Sequence, residues 1–154
     1  MTDYEVLREQ VRGLLAEEPY YVAAMSNISS VLKDGLPDIN WAGFYIVRDG
    51  ALTLGPFQGK TACIHIPKDK GVCGAAWREN RTMLVPDVHQ FPGHIACDSA
   101  SNAEIVIPLR EAAGEVKAVL DIDSPTPNRF SEADRQGLEA FAHEIERAMK
   151  GLEA

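Results

Sequence analysis

The strongest constraint on this chain is a change of hydrophobic period partway along it. Near the N-terminus, Val6, Leu7, Val11, Leu14 and Leu15 recur at the spacing of one helical face, and Val22, Ala23, Ile28, Val31 and Leu32 follow in a second helical segment. From Trp41 onward the pattern turns to aromatic and β-branched residues, which suit strands. Helical spacing returns only after Ser131, through Leu138, Phe141, Ala142, Ile145, Met149 and Leu152. Helices at both ends of a β-rich middle imply an α+β fold, with helices packed on a face of one sheet.

Local signals divide this pattern into elements. Thr2-x-x-Glu5 predicts a capping box at the first helix, and Pro19 suits the first turn of the second. Gly35 and Pro37 end that helix. Trp41 to Val47 reads as a strand, Asp49-Gly50 as a type I′ turn and Ala51 to Leu54 as the returning strand. A third strand is expected over Ala62 to Ile66, a short helix over Gly71 to Glu79 and a strand around Thr82 to Val85. Glu104 to Leu109 and Val116 to Ile122 form a hairpin across Ala113-Gly114, and Ser131 caps the closing helix. No repeat or linker interrupts the series, so residues 1–154 read as a single domain.

Charge and composition remove several function classes. Fifteen Lys and Arg face 23 Asp and Glu, a net charge of −8 that repels nucleic acid and anionic membrane surfaces. No apolar run is long enough to span a bilayer, and the acidic start Met1-Thr2-Asp3-Tyr4-Glu5 does not resemble a secretory signal. Three cysteines in a chain of this length do not describe a disulfide scaffold. The expectation is a cytoplasmic protein with reduced thiols, which serve either packing or chemistry.

One stretch does not belong to a minimal scaffold. Pro86 to Ala103 spans 18 residues without periodicity, and connections that long are usually functional or disordered. It carries His89, Gly93, His94, Cys97, Asp98 and Asn102, and reads as an active-site loop. Cys97 sits beside potential donors that would favour its thiolate; Cys73, near the start of the short helix, is placed where the dipole does the same. Cys63 falls in the expected third strand, two residues before His65 and on the same face. The plainer reading makes each cysteine a small buried hydrophobe. Another alternative is a metal site drawn from Cys63, His65, His89, His94 and Cys97, but no cysteine pair has the close spacing usual for zinc.

Acids and aromatics add to the list. Glu104 opens the strand after the loop; Asp121 and Asp123 flank Ile122, so alternation places both on one face. Mutual repulsion would raise one of their pKa values, as a general acid or a cation pocket needs, unless the strand end is simply solvated. Trp41 and Tyr45 share a face across Gly43, either as core or as the wall of a pocket.

Five stretches together resemble a known family: Asn40-Trp41-Ala42-Gly43-Phe44-Tyr45, Leu54-Gly55-Pro56-Phe57-Gln58-Gly59-Lys60, Gly71-Val72-Cys73-Gly74, Gly93-His94-Ile95-Ala96-Cys97-Asp98 and Val119-Leu120-Asp121-Ile122-Asp123-Ser124. They are similar to the free methionine-(R)-sulfoxide reductases, enzymes built on a GAF domain. The resemblance runs from about Asn40 to Leu138. It implies a six-stranded antiparallel sheet flanked by helices, and reduction of free methionine-(R)-sulfoxide without a cofactor or metal. It makes Cys97 the catalytic cysteine, Cys63 the resolving cysteine that closes a disulfide with it, and Cys73 a third cysteine of secondary part. It makes Glu104, Asp121 and Asp123 substrate-binding carboxylates and Trp41 and Tyr45 pocket aromatics. Thioredoxin as reductant and a homodimer are implied as well. A sensory GAF module that binds a small ligand without catalysis is the rival, and the lack of an output domain within these 154 residues counts against it.

Overall fold

A computed structural model describes residues 2–16, 20–94 and 100–148. Two helices, α1 (Tyr4–Leu15) and α2 (Tyr21–Gly35), lead into strands β1 (Trp41–Arg48), β2 (Ala51–Gly59) and β3 (His65–Ile66). Helix α3 (Gly71–Glu79) and strand β4 (Met83–Val85) follow, then β5 (Ala103–Arg110), β6 (Val116–Ser124) and helix α4 (Glu132–Ala148). The strands form one six-stranded sheet in the order β3-β2-β1-β6-β5-β4, antiparallel at every pairing. The α+β arrangement expected from the periods is the one observed. None of the described helices is long and apolar enough to cross a membrane.

Strand alternation sorts the side chains into two cores. Ala42, Phe44, Ile46, Ile105, Ile107, Leu120 and Ile122 face α1, α2 and α4, where they meet Val11, Ile28, Leu32, Leu138, Phe141 and Ile145. The residues between them, including Trp41, Tyr45, Val106 and Val119, face the other way and meet Val72, Cys73 and Ala76 of α3. The first core supports the sheet and the second encloses the site. Helices α1 and α4 are locked together by close contact and by charge. Gly137 admits the Tyr4 ring where a Cβ would lie 2.2 Å from it, and the Tyr4 hydroxyl donates to Asp134 Oδ1 at 2.6 Å. Arg12 Nη2 donates to the buried Glu144 Oε1 at 2.7 Å.

The local signals hold at most boundaries and fail informatively at others. Asp49 and Gly50 both take positive φ, 50° and 78°, as a type I′ turn demands. Ser131 Oγ accepts from the Asp134 N–H while Asp134 Oδ2 accepts from the Ser131 N–H, a reciprocal cap at α4. At α1 the cap is Asp3 and not Thr2: its Oδ1 accepts from the Val6 N–H at 3.2 Å, and its charge complements the helix N-terminus. Val6 and Leu14 are exposed rather than part of the apolar face, which Leu7, Val11 and Leu15 supply. Pro19, Met149 and Leu152 lie outside the described residues.

Strand β2 runs on to Gly59, past the expected end at Leu54, while β3 shrinks to His65–Ile66. Cys63 is therefore not in a strand and shares no sheet face with His65. The reason is local: the Cys63 carbonyl accepts from the Tyr45 hydroxyl at 3.0 Å instead of joining a ladder. Thr82 stops short of β4, its hydroxyl donating to Glu139 Oε2 at 2.6 Å.

The first core carries a direct prediction. Leu120 is fully buried between the sheet and the three helices. Leu120→Ala should lower the unfolding free energy by about 2–5 kcal/mol, the range for emptying such a position, as read by denaturant titration.

Candidate active site

The register of three strands builds the site. Trp41 on β1 pairs with Asp123 on β6, which pairs with Glu104 on β5. One step along, Gly43 pairs with Asp121, which pairs with Val106. Side chains alternate between faces, so Trp41, Tyr45, Glu104, Asp121 and Asp123 all emerge on the side away from the three long helices. The shared face expected for the two aspartates, and for the two aromatics, is observed.

Gly43 matters for what stands in front of this row. Gly43 pairs with Phe57 but Tyr45 pairs with Leu54, so β2 carries an extra residue around Gly55-Pro56, a bulge where a strand proline is tolerated. A Cβ on Gly43 would lie 2.3 Å from the Phe57 Cβ. Without it, Phe57 folds over the strand and stacks on Trp41, ring centroids 5.1 Å apart and planes 15° apart. Tyr45 stacks on the same indole at 5.9 Å. The polar ends of these rings are anchored: Trp41 Nε1 donates to the Lys60 carbonyl at 3.1 Å, as Tyr45 does to that of Cys63. The aromatic wall thereby holds the segment that carries Cys63.

Between this wall and α3 lies a cavity of ≈ 50 Å³, room for several waters at roughly 10–15 Å³ each. Trp41, Tyr45 and Ala62 form one side and Gly71, Val72 and Cys73 the other. Glu104, Asp121 and Asp123 form its acidic end, and His94 and Ser101 reach it from the long connection. Ser101 also accepts from Asn40 Nδ2 at 3.1 Å, which ties that connection to the start of β1. His94 packs edge-on against His89, which is held by Asn102 Oδ1 at 2.9 Å. Burial, and then the neighbouring His89, pulls the His94 pKa down.

The acidic end is buried. Glu104 is 9% exposed and Asp121 5%, and Asp121 Oδ1 has no hydrogen-bond partner among the described residues. Burial pushes the Asp121 carboxyl well above the ordinary carboxylate range, and the charge of Asp123 adds to it. Burial likewise raises Glu104, with Asp121 as the next cause. Cys73 Sγ lies 3.9 Å from Glu104 Oε2 in the same enclosure.

That position reverses the expectation for Cys73. A thiol in the first turn of α3 should be favoured as thiolate by the helix, yet burial and the charges of Asp121 and Glu104 push it well above its usual pKa. Desolvation and two close like charges outweigh a partial dipole charge. Cys73 is a free, fully enclosed thiol, ordinarily protonated.

Six of the eight residues expected from the sequence thus line one cavity: Trp41, Tyr45, Cys73, Glu104, Asp121 and Asp123. Cys63 stands beside it, next to Ala62, and Cys97 lies outside the described residues. Phe57 and Ser101 were not anticipated as parts of the site. Pro56 inside a strand was the available signal for the bulge that delivers Phe57; nothing local marked Ser101. Nor do the metal candidates named from the sequence assemble as a group among the described residues. The set within mutual ligand range is Cys73, Glu104 and Asp121, and His65 is exposed on β3.

The raised carboxyls carry a sign. A buried acid whose folded pKa lies above its unfolded value favours folding while protonated, and that contribution is lost as pH rises through the folded pKa. Asp121→Asn removes the group that must ionise. It should raise Tm relative to the unsubstituted chain, by about 2–4 °C per kcal/mol relieved, and the difference should grow from pH 5 to pH 9 in calorimetric melts.

Comparison with known proteins identifies the family. The GAF domain model matches residues 24–150. The free methionine-R-sulfoxide reductase of Escherichia coli K12 is 47% identical over 146 residues, covering 95% of this chain and 88% of that protein. The reduced form of fRMsr from Staphylococcus aureus superposes with a TM-score of 0.93 at 48% identity, covering 97% of this chain and 96% of the other. The free methionine-R-sulfoxide reductase of Neisseria meningitidis, solved with its substrate, superposes with a TM-score of 0.90 at 40% identity over 95% of this chain and 87% of that one. Matched in sequence and in fold along nearly its whole length, the chain belongs to the GAF-domain family of free methionine-R-sulfoxide reductases.

Proposed function

We propose that this protein reduces free L-methionine-(R)-sulfoxide to L-methionine, with Cys97 as nucleophile. The observation that carries the reading is the pair of buried carboxyls, Glu104 and Asp121, held toward their protonated forms on the wall of an open cavity. A sulfoxide accepts a thiolate at sulfur only if its oxygen is protonated as it leaves, and such a carboxyl is the donor that step needs. The Cys97 thiolate attacks the sulfur, the S–O bond breaks and oxygen passes to the enzyme. Methionine departs and Cys97 becomes a sulfenic acid, two electrons more oxidised.

Cys63 then condenses with the sulfenic acid, forming a disulfide and releasing water. The chemistry of the described cysteines favours this division: Cys63 is disulfide-bonded, while Cys73 is a free and enclosed thiol better suited to a secondary part. Thioredoxin, with E°′ of about −270 mV, reopens a disulfide more oxidising than itself. The substrate's α-ammonium pairs with the acidic end, Asp123 included, and its apolar chain lies against Trp41 and Tyr45. A methionine sulfoxide inside a peptide chain lacks that ammonium, and the cost of leaving buried charge unpaired excludes it. The same reading makes residues 1–154 one domain, working in the cytoplasm as a homodimer.

A thioredoxin-coupled assay that compares the two free sulfoxide epimers tests the proposal. Turnover of the R epimer should be lost in Cys97→Ser. In Cys63→Ser, methionine should form once per chain and then stop, since the resolving thiol is gone. Undiminished activity in Cys97→Ser, or equal use of both epimers, would sink the assignment. Tight binding of another small ligand without sulfoxide turnover would point to a sensory module instead.

A further inference from the structure

We infer that the acidic end of the cavity is also a binding site for a thiophilic divalent cation, with Zn²⁺ the ion that fits, held by Cys73 Sγ and one carboxylate oxygen each from Glu104 and Asp121. The three side chains come from α3, β5 and β6, so the fold and not a local motif brings them together. Their ligand atoms all lie within 4.8 Å of one another. In a tetrahedral zinc site, bonds of about 2.3 Å to sulfur and 2.0–2.2 Å to oxygen place those two atoms ~3.6 Å apart. Cys73 Sγ and Glu104 Oε2 stand at 3.9 Å, a few tenths of an ångström from that spacing.

Two further observations point to a cation. Asp121 is buried and lines the cavity, and its Oδ1 has no hydrogen-bond partner among the described residues. No Lys or Arg stands among the described residues that line the cavity, where Glu104, Asp121 and Asp123 meet the His94 imidazole. The donor set selects the ion. One sulfur and two oxygens suit zinc, whereas Ca²⁺ and Mg²⁺ require six or more oxygen ligands. Three protein ligands leave a fourth position for water.

Binding involves no electron transfer. The Cys73 thiol and each protonated carboxyl release a proton to solvent as their bonds to the metal form, so affinity rises with pH. The consequence for turnover rests on the function proposed above. A bound cation takes the position of the substrate ammonium and removes the acidic proton from beside the sulfoxide oxygen. Zn²⁺ should then inhibit in competition with the sulfoxide.

The binding test uses no sulfoxide. In the Cys63→Ser, Cys97→Ser chain, Cys73 is the only thiol, and anaerobic Co²⁺ should bind once per chain with a near-ultraviolet thiolate-to-cobalt band that Zn²⁺ displaces. Adding Asp121→Asn or Glu104→Gln should weaken the metal at least ~10-fold, the loss that follows removal of even an outer partner. Absence of the band from folded protein, or calorimetric Zn²⁺ affinity unmoved by both carboxylate substitutions, overturns the inference. If the serine variants unfold, calorimetry on the otherwise unchanged chain with and without Asp121→Asn separates the same two outcomes. Turnover without metal binding refutes this inference alone; metal binding without turnover refutes the proposed function alone.

Discussion

Glu104, Asp121 and Cys73 are buried together at one end of the cavity, where burial opposes the ionisation of each. Each charge raises the cost of the next, and water is not present in bulk to lower it. Whatever occupies the cavity must therefore bring positive charge, accept a proton, or do both. The other features of the site follow from this. The aromatic wall excludes solvent, α3 closes the opposite side, and the sheet fixes the carboxyls at strand spacing.

Burying acids costs stability, and the opposite face of the sheet offsets that cost. Phe44, Leu120, Ile122 and Leu138 are fully buried beneath the three long helices, and Tyr4 and Arg12 tie the first helix to the last. Period-two alternation makes this separation possible. The same strands present Ile122 to the helices and Asp121 to the cavity, so strain on one side need not disturb packing on the other.

The aromatic side chains connect binding to the cysteines. Trp41 and Tyr45 line the cavity and stack on each other, while their polar tips hold the carbonyls of Lys60 and Cys63. Gly43 permits this arrangement, since a methyl group there would displace Phe57 and open the stack.

The linear order of residues determined the periods, and with them much of the architecture. The Asp49-Gly50 turn, the short helix over Gly71 to Glu79, the hairpin at Gly114 and the shared face of Asp121 and Asp123 were all legible, because each depends on neighbours in the chain. Tertiary structure decided what distant segments cover. It took Cys63 out of a strand by lending its carbonyl to Tyr45, enclosed Glu104 completely enough to raise its pKa, and turned Cys73 from an expected thiolate into a protonated thiol. Alternation and turn geometry are local properties, whereas desolvation is set by whichever elements fold over a group. Which residues face together could be read in one dimension; how dry and how charged their surroundings are could not.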